Sequence, residues 1–408
     1  MIMVAETISL GILSLPSVLA TIGMVPGAIL IVSMGALATY SGYVIGQFRN
    51  AHPWVHSMAD AGHVLFSPWG ERWGRFGREF LGAAQVIFLI FSMASHILTW
   101  EIGFNTITSG ATCTIVWGVI ALVLFWIIDL PRTLKNVSYF SIASFISIFS
   151  AVMITMIDVG ITNPGMNKWH DTQVASFADA FLSVTNIVFA YAGHVAFFGF
   201  ISEFKKPRDF PKALALLQIT DTVMYLVAAV VIYRYGGDSV DSPALGSAGT
   251  TVKKVAWGIA IPTIIIAGVI YGHVATKYIY VRIFRGTRHM AKRTWLSFGT
   301  WAAIALTLWI IAFIIAESIP DFNDLLALIS SLFAAWFTYG ISGIFWLFIN
   351  WGQWFKNPKK MALFALNVLM FGIGLGICGM GLYASGKAIN EGSKSGSWTC
   401  KQTKANSQ

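Results

Sequence analysis

Charged residues are scarce in this sequence. Only 11% of its 408 residues are Asp, Glu, Lys or Arg, whereas 56% are hydrophobic and the mean hydropathy is +0.69. A soluble protein of this size needs more polar surface than these residues supply, so the composition indicates a polytopic membrane protein. Nucleic acid is not expected as a partner, because the residues behind the net charge of +9 lie in short clusters between apolar runs.

Cysteine and clustered acidic residues are also scarce. The three cysteines, Cys113, Cys378 and Cys400, show no metal-ligand spacing and are too few for a disulfide framework. The Asp and Glu residues are dispersed, and no paired His or Cys motif occurs, so the sequence offers no catalytic or metal-binding constellation. We therefore expect neither an enzyme nor a protein with a bound metal or organic cofactor.

Long apolar runs dominate the chain instead. A window of about 20 apolar residues spans a hydrocarbon core of about 30 Å. Eleven such windows predict an all-α membrane protein with eleven transmembrane helices: 2–24, 26–48, 79–104, 112–130, 137–159, 177–202, 212–235, 254–280, 295–316, 323–350 and 361–386. They form one predicted transporter domain over residues 1–386, followed by a polar tail at 387–408.

The distribution of basic residues predicts the orientation. Most of the 27 Lys and Arg residues lie in the loops that follow the even-numbered windows, such as the loop with Lys205, Lys206 and Arg208. Cytoplasmic loops carry such an excess, so we place the N-terminus in the cytoplasm and the tail outside. Cys113 and Cys400 then both face outward, where they could pair, although three unrelated thiols remain the alternative.

The beginning of the chain has two further features. Met1 lies inside an apolar segment without a cytoplasmic lead, and we expect the natural N-terminus to be longer. The opening run also lacks the basic residues that precede the apolar core of a cleavable signal peptide. The plasma membrane is the favoured location, and the vacuolar membrane is the alternative.

Two of the windows contain residues that interrupt helices. The sixth contains Ala192, Gly193 and His194 where a plain membrane helix would have Leu or Val. The first contains Gly11 and Pro16, and a proline removes one backbone donor and frees a carbonyl one turn earlier. Breaks five windows apart suggest two inverted repeats, at about 1–160 and 177–350, with 361–386 as an extra helix. The alternative is that Gly and Pro are simply common in membrane helices.

Broken helices favour a particular kind of ligand. Unwound backbone exposes N–H groups at the N-terminus of one half-helix, where an anion is stabilised, and carbonyl groups at the C-terminus of another, where a cation is stabilised. A zwitterion with a carboxylate and an ammonium group fits both ends. The breaks alone therefore make amino acids the natural candidate substrate.

Two stretches resemble one transporter family. The first is ETISLGILSLP, from Glu6 to Pro16, and the second is FAYAGHVAFFGFISEFKKPRDFPKAL, from Phe189 to Leu214. They resemble the first-helix and sixth-helix motifs of the amino acid/auxin permease family. The runs ALALLQITDTVMYLVAAVVIYRYGG and GHVATKYIYVRIFRGT are most similar to the neutral amino acid permeases of filamentous fungi, and the resemblance extends over all eleven windows.

The resemblance implies a five-plus-five inverted repeat with one extra helix, and secondary active transport of amino acids driven mostly by protons. It implies substrate-binding breaks at Ser9, Leu10, Gly11 and Ile12, and at Tyr191, Ala192, Gly193 and His194. Many family members have Gly where this chain has Ser9, which changes the shape of that pocket. Family members also usually carry the cytoplasmic lead that is missing here.

The few ionisable residues in the windows are candidates for ion coupling, because a charge near the bilayer centre costs about 2.5 to 3.5 kcal/mol. Glu6 and His273 could carry a proton, or could be structural, and Thr276 alone is too weak a signal to favour sodium. Glu203 is expected to form salt bridges at the inner gate. Gln85 and His96 could line the pathway or join helices, and Asp221 has no clear role.

Two functions remain open at this point. The favoured one is a proton-coupled symporter for neutral amino acids, which works by alternating access. The alternative is an amino-acid sensor that binds its ligand with little flux, although the short cytoplasmic loops leave little surface for signalling. The sequence gives neither the preferred amino acid nor the oligomeric state.

Overall fold

The computed structural model describes residues 2–132, 137–162, 168–290, 292, 294–392 and 397–400. Within these ranges we number fifteen α-helices, α1 to α15, in chain order. They are Ile2–Thr7, Leu15–Ile22, Met24–Ala51, Met58–Phe66, Glu71–Thr108, Thr114–Asp129, Val137–Thr162, Phe177–Ala190, Phe197–Glu203, Phe210–Gly236, Thr250–Phe284, Trp295–Ser318, Phe322–Ile329, Ile341–Ile349 and Pro358–Gly392. The protein is an all-helical polytopic membrane protein.

In the described part of the chain, nine helical segments are long and apolar enough to cross a membrane. Two shorter apolar segments, Gly11–Ile22 and Thr114–Asp129, lie within the first and fourth predicted windows. The all-α membrane class is thus confirmed, whereas the count of eleven and the inverted repeat stay predictions. Large apolar side chains such as Ile29, Ile219 and Leu369 are exposed on the outer helix faces, as expected for a surface covered by lipid.

Both predicted helix interruptions are present. The first separates α1 from α2 and contains a short 3₁₀ turn at Gly11–Leu13, and the second separates α8 from α9 with a 3₁₀ turn at Ala192–Ala196. Pro16 lies in the first turn of α2, where the missing N–H costs little because the first amides of a helix have no partner within it. The proline therefore defines the start of the second half-helix.

The remaining helices hold the two interrupted segments in the centre. α2 packs against α8 and α10, α5 packs along α11, and α3 packs along α10. The last helix, α15, packs against α8 and α14, and it approaches closely because Gly374 lies against Gly340; a Cβ at position 374 would come within 2.8 Å of the Gly340 Cα. Small residues at such crossings allow membrane helices to pack tightly.

Two features were not predicted. The helix α4 lies in the loop between α3 and α5, and its N-cap residue Ser57 accepts a hydrogen bond from the amide of Asp60 at 3.2 Å. The tenth predicted window is not a regular α-helix either, because π-helical turns at Ser330–Ala334 and Trp336–Gly340 separate α13 from α14. Such turns often occur near functional sites.

Cys113 and Cys400 form a disulfide bond, with their Cα atoms 4.7 Å apart. The bond attaches the C-terminal tail to the start of α6. Cys378 is a free thiol. Of the two possibilities for these cysteines, the structure thus shows the pairing.

Candidate functional site

The two breaks lie side by side. The 3₁₀ turn of the first break contacts α8, and the 3₁₀ turn of the second contacts α1. Gly11 permits this contact, since a Cβ at that position would lie only 2.5 Å from the Cα of Ala190. Gly193 likewise faces α1, where a Cβ would lie 2.9 Å from Thr7 Oγ1. Both glycines thus allow the two segments to approach each other closely.

A small cavity lies at this junction, and we call it the central cavity. It is lined by Thr7, Ser9, Leu10, Gly11, Phe88, His96, Phe189, Ala190, Ala192, Gly193 and Tyr271. The volume is about 20 Å³, which is enough for roughly one water molecule and too small for an amino acid. The structure is therefore closed around this cavity.

Five of the eight predicted substrate-binding residues line the central cavity: Ser9, Leu10, Gly11, Ala192 and Gly193. The other three, Ile12, Tyr191 and His194, are buried but do not line it. Ser9 is buried, and its hydroxyl has no hydrogen-bond partner among the described residues. It is the polar side chain of the first break that remains available to a ligand.

Tyr191 and His194 hold the second break against α3. The Tyr191 hydroxyl donates a hydrogen bond to the Ile31 carbonyl oxygen at 3.1 Å. The two ring nitrogens of His194 lie 3.1 Å from the carbonyl oxygen of Tyr191 and 2.8 Å from that of Ala38. Because both nitrogens contact backbone oxygens, His194 stabilises the break rather than facing the cavity.

Tyr225 connects the two breaks directly. This residue lies on α10, and its hydroxyl is 3.0 Å from the Thr7 carbonyl oxygen and 2.8 Å from the Ala190 carbonyl oxygen. Those two carbonyls belong to the last residues of α1 and α8, whose C-terminal oxygens lack partners within the helix. One phenolic proton is thus shared between the ends of both half-helices. No sequence pattern pointed to Tyr225, because its role depends on three segments that meet only in the fold.

The cavity wall contains no Asp, Glu, Lys or Arg. It combines the aromatic rings of Phe88, Phe189 and Tyr271 with hydroxyl and backbone groups. His96 also lines it, as one of the two sequence alternatives suggested, and its Nδ1 atom has no hydrogen-bond partner in the described chain. Gln85 lies three turns away on the same helix and does not line the cavity.

His273 and Thr276 are not at this cavity. His273 lies on α11, and its Nδ1 atom is 3.4 Å from the Asp129 carboxylate at the end of α6. Trp309 of α12 donates to the other Asp129 oxygen at 3.3 Å, so these residues form a buried polar group that joins three helices. Thr276 is fully buried and its hydroxyl is unpaired among the described residues.

Two further predicted residues gain no direct support. The side chain of Glu6 lies outside the part of the chain that the structure describes. Glu203 is the last residue of α9, and within the described ranges no ion pair links it to Lys205, Lys206 or Arg208. The nearest ion pair in that loop joins Lys212 to Asp209 at 2.9 Å instead.

Larger hollows are present elsewhere but lie away from the breaks. Two cavities, of about 580 and 460 Å³, lie along α12 and are lined by residues such as Trp295, Leu296 and Phe298. These side chains are exposed on the apolar outer surface, where lipid chains would cover them. Among the cavities described, the central cavity is the one that combines unwound backbone with polar side chains.

The fold is that of helical membrane transporters. Over 96% of the chain it is similar to a nucleobase-cation-symport-1 family transporter in a closed conformation with bromovinylhydantoin bound (TM-score 0.52, 13% identity, 91% of that chain covered). It is similar to the same extent to MhsT in complex with L-phenylalanine (TM-score 0.51, 15% identity, 96% of this chain and 97% of that chain).

The sequence matches the family described as transmembrane amino acid transporter protein over residues 1–386. It is 37% identical to an N amino acid transport system protein of Neurospora crassa, over 94% of this chain and 82% of the relative. A transmembrane transporter of Gibberella moniliformis is 32% identical, over 95% and 82%. The chain belongs to the transmembrane amino acid transporter family. Membership in a family of transporters supports the expectation that it is not an enzyme.

Proposed function

We propose that the protein is a secondary active transporter that carries neutral amino acids together with protons. The observation that supports this most is the meeting of two helix breaks around an uncharged cavity. The 3₁₀ turn at Gly11–Leu13, which leads into α2, offers its first amides to a carboxylate, and the C-terminus of α8 offers carbonyl groups to an ammonium group. Ser9, Leu10 and Gly11 with Ala192 and Gly193 form the proposed substrate site; Ile12, Tyr191 and His194 support it from behind.

The absence of charge from the cavity wall supports neutral substrates. A Lys or Glu side chain of the substrate would be buried there without an opposite charge, which is costly in a low-dielectric site. The aromatic rings of Phe88, Phe189 and Tyr271 instead suit an apolar side chain. We therefore propose that large neutral amino acids are preferred over charged ones.

Alternating access is part of the proposal, since the central cavity is closed and holds roughly one water molecule. An amino acid can enter only if the helices around the breaks move apart on one side of the membrane. The sequence predicts ion or proton coupling at Glu6, His273 and Thr276, with sodium less favoured, and a gate at Glu203; these assignments stay predictions. The repeats at 1–160 and 177–350 and the single domain over 1–386 are likewise proposed.

The proposed location is the plasma membrane, with a cytoplasmic N-terminus and an extracytoplasmic tail. The disulfide between Cys113 and Cys400 supports an outward position for both residues, because disulfides persist in oxidising compartments and are rare in the cytosol. The bond also joins two segments that the distribution of Lys and Arg assigns to the same side.

Uptake into proteoliposomes tests the proposal. Purified protein should accumulate labelled L-leucine or L-phenylalanine when the lumen is more alkaline than the outside, and labelled L-lysine or L-glutamate should accumulate much less. A sodium gradient at equal pH should drive little uptake. Binding without accumulation would contradict transport and favour a sensor.

A further inference from the structure

Asp221 is a fully buried carboxylate with no hydrogen-bond partner for either of its oxygens within the described chain. It lies on the inner face of α10, one turn before Tyr225, whereas Leu216, Ile219 and Val223 of the same helix are exposed toward lipid. A charge in this position is expensive unless it is paired or neutralised by a proton. The side chain therefore requires an explanation that its immediate surroundings do not supply.

The charged residues of the neighbouring helices do not pair with Asp221. α2 carries no ionisable residue, α3 carries Arg49 in its last turn, and α7 carries Asp158, which accepts a hydrogen bond from the Gly249 amide. The basic residues of α10 itself, Lys212 and Arg234, lie near its two ends. From α1, the candidate is Glu6, whose side chain lies outside the described residues.

Asp221 lies one turn before Tyr225 on α10 and directly precedes Thr222, whose Oγ1 atom accepts a hydrogen bond from the Tyr191 hydroxyl at 3.3 Å. The rings of Tyr191 and Tyr225 are in edge contact, with centroids 5.3 Å apart. Tyr225 bridges the Thr7 and Ala190 carbonyls, and Tyr191 is the first residue of the second break. Asp221 thus neighbours, on α10, both residues that connect this helix to the breaks: Thr222, which contacts Tyr191, and Tyr225.

We propose that Asp221 is the proton-binding site that couples proton movement to closure of the central cavity, an inference that rests on the proposed transport function. An ionised Asp221 attracts the hydroxyl proton of Tyr225 and competes with the Thr7 and Ala190 carbonyls for it. A protonated Asp221 is neutral and leaves that hydroxyl to the two carbonyls. Protonation therefore stabilises the closed arrangement.

Linkage makes this effect reciprocal: a substrate that favours closure also favours binding of the proton. Proton and amino acid then close the cavity together, which is the requirement for symport. The proton binds to a carboxylate oxygen and is released from the same atom when the cavity opens to the cytoplasm.

Proteoliposomes with an imposed pH gradient test the assignment with Asp221→Asn, using labelled L-leucine and L-phenylalanine. With one proton per amino acid, one pH unit supports an accumulation of about tenfold, since it corresponds to about 1.4 kcal/mol per proton. We expect the wild type to approach this ratio and Asp221→Asn to fall to a ratio near one. The variant should still exchange internal for external amino acid, because exchange requires no net movement of protons.

Glu101→Gln is the matched control. Glu101 on α5 is buried to the same degree and contacts Glu317 of α12, beside Gly118 and away from the breaks. We expect this variant to keep proton-driven accumulation. If it also loses coupling, the loss follows from removal of any buried carboxyl group, and the assignment to Asp221 is overturned.

Other outcomes separate the inference from the function on which it rests. A wild type that neither exchanges nor accumulates amino acid overturns both. If the wild type and Asp221→Asn show the same proton-driven accumulation, the inference alone is overturned. The inference is also overturned if Glu6→Gln loses proton-driven accumulation while Asp221→Asn keeps it. If Asp221→Asn does not reach the membrane, Asp221→Glu decides: we expect coupling with a displaced pH midpoint, and an unchanged midpoint counts against the site.

Discussion

Gly11 and Gly193 bring the two breaks into contact, but they differ in what an added methyl group would meet. At Gly11 it would meet backbone atoms of Ala190, with the Cα at 2.5 Å, whereas at Gly193 it would meet the hydroxyl of Thr7 at 2.9 Å. A side-chain hydroxyl can rotate away, but a helix backbone cannot move without its neighbours. The contact at Gly11 is therefore the stricter of the two.

We expect Gly11→Ala to reduce the initial rate of uptake about fivefold or more and Gly193→Ala to reduce it less. Overpacking at a tight contact costs about 1 to 3 kcal/mol, which corresponds to roughly a fivefold to 150-fold loss of the closed state. Gly193→Leu should also abolish uptake, because a large side chain fills the break. Gly199→Ala serves as the control, since a Cβ there meets nothing within 4 Å. Equal rates for Gly11→Ala and Gly199→Ala would contradict the proposed close contact.

A second residue-scale prediction concerns Tyr225. In Tyr225→Phe the carbonyls of Thr7 and Ala190 lose their shared donor. The Thr7 carbonyl keeps the Ser9 amide at 3.0 Å, so the cost of an unsatisfied buried acceptor, about 1 to 3 kcal/mol, falls on Ala190. We expect uptake to fall by roughly tenfold while exchange is affected equally, since closure itself is weakened. Tyr383→Phe, at an exposed position on α15, is the control. Uptake by Tyr225→Phe at the control rate would show that the bridge is dispensable.

At the scale of elements, the C-terminal tail fastens two helices together. Residues 397–400 reach α12 through a hydrogen bond from Ser397 to the Ser318 carbonyl oxygen at 3.1 Å and through the contact of Trp398 with Phe313. They reach α6 through the disulfide between Cys400 and Cys113. The tail thus joins the end of α12 to the start of α6, at a distance from the breaks.

We expect Cys113→Ser to lower thermal stability while leaving the rate of uptake close to that of the wild type. A disulfide typically contributes about 2 to 4 kcal/mol by restricting the unfolded chain. The measurement is the unfolding temperature in detergent with and without reductant. Cys378→Ser, which removes the free thiol, should unfold at the wild-type temperature and remain sensitive to reductant. A Cys113→Ser protein as stable as the wild type would contradict this role of the tail.

The helix breaks could be predicted from the sequence, whereas the Tyr225 bridge and the π-helical turns could not. Both helix breaks were predictable because Pro16, Gly11 and Gly193 act locally, on the backbone of their own segment. The bridge from Tyr225 was not predictable, because tyrosine is an ordinary residue of a membrane helix until its hydroxyl meets carbonyls at the ends of two other helices. The π-helical turns at Ser330–Ala334 and Trp336–Gly340 were not predictable for a different reason, since an apolar run has the same composition in an α-helix and in a π-helix.

His194 and His273 illustrate how far residue type alone can guide a prediction of function. His194 was a candidate because it lies in a predicted break and a histidine in a membrane needs a polar partner, and His273 because histidine titrates near physiological pH. The partners are backbone carbonyls for His194 and the Asp129 carboxylate for His273, and both lie outside the central cavity. Each histidine therefore has a polar partner, but the identity of that partner depends on packing between helices that are distant in sequence.

At the scale of the whole molecule, the span count depends most on α6. Its 16 residues extend about 24 Å, which is shorter than a hydrocarbon core of about 30 Å, so the helix is short for a membrane span. If α6 crosses, the loops before and after it lie on opposite sides, and the eleven-span topology holds in this region. If it does not cross, those loops share a side and the excess of cytoplasmic Lys and Arg no longer follows alternate loops.

Single cysteines at exposed positions on either side of α6 decide between these topologies. Ala111→Cys precedes the helix and Pro131→Cys follows it, each introduced together with Cys378→Ser so that the free native thiol is absent. We expect a membrane-impermeant thiol reagent to label Ala111→Cys in intact cells and Pro131→Cys only after permeabilisation. Reaction of both residues in intact cells would contradict a crossing by α6, since a span must carry the chain from one side of the bilayer to the other.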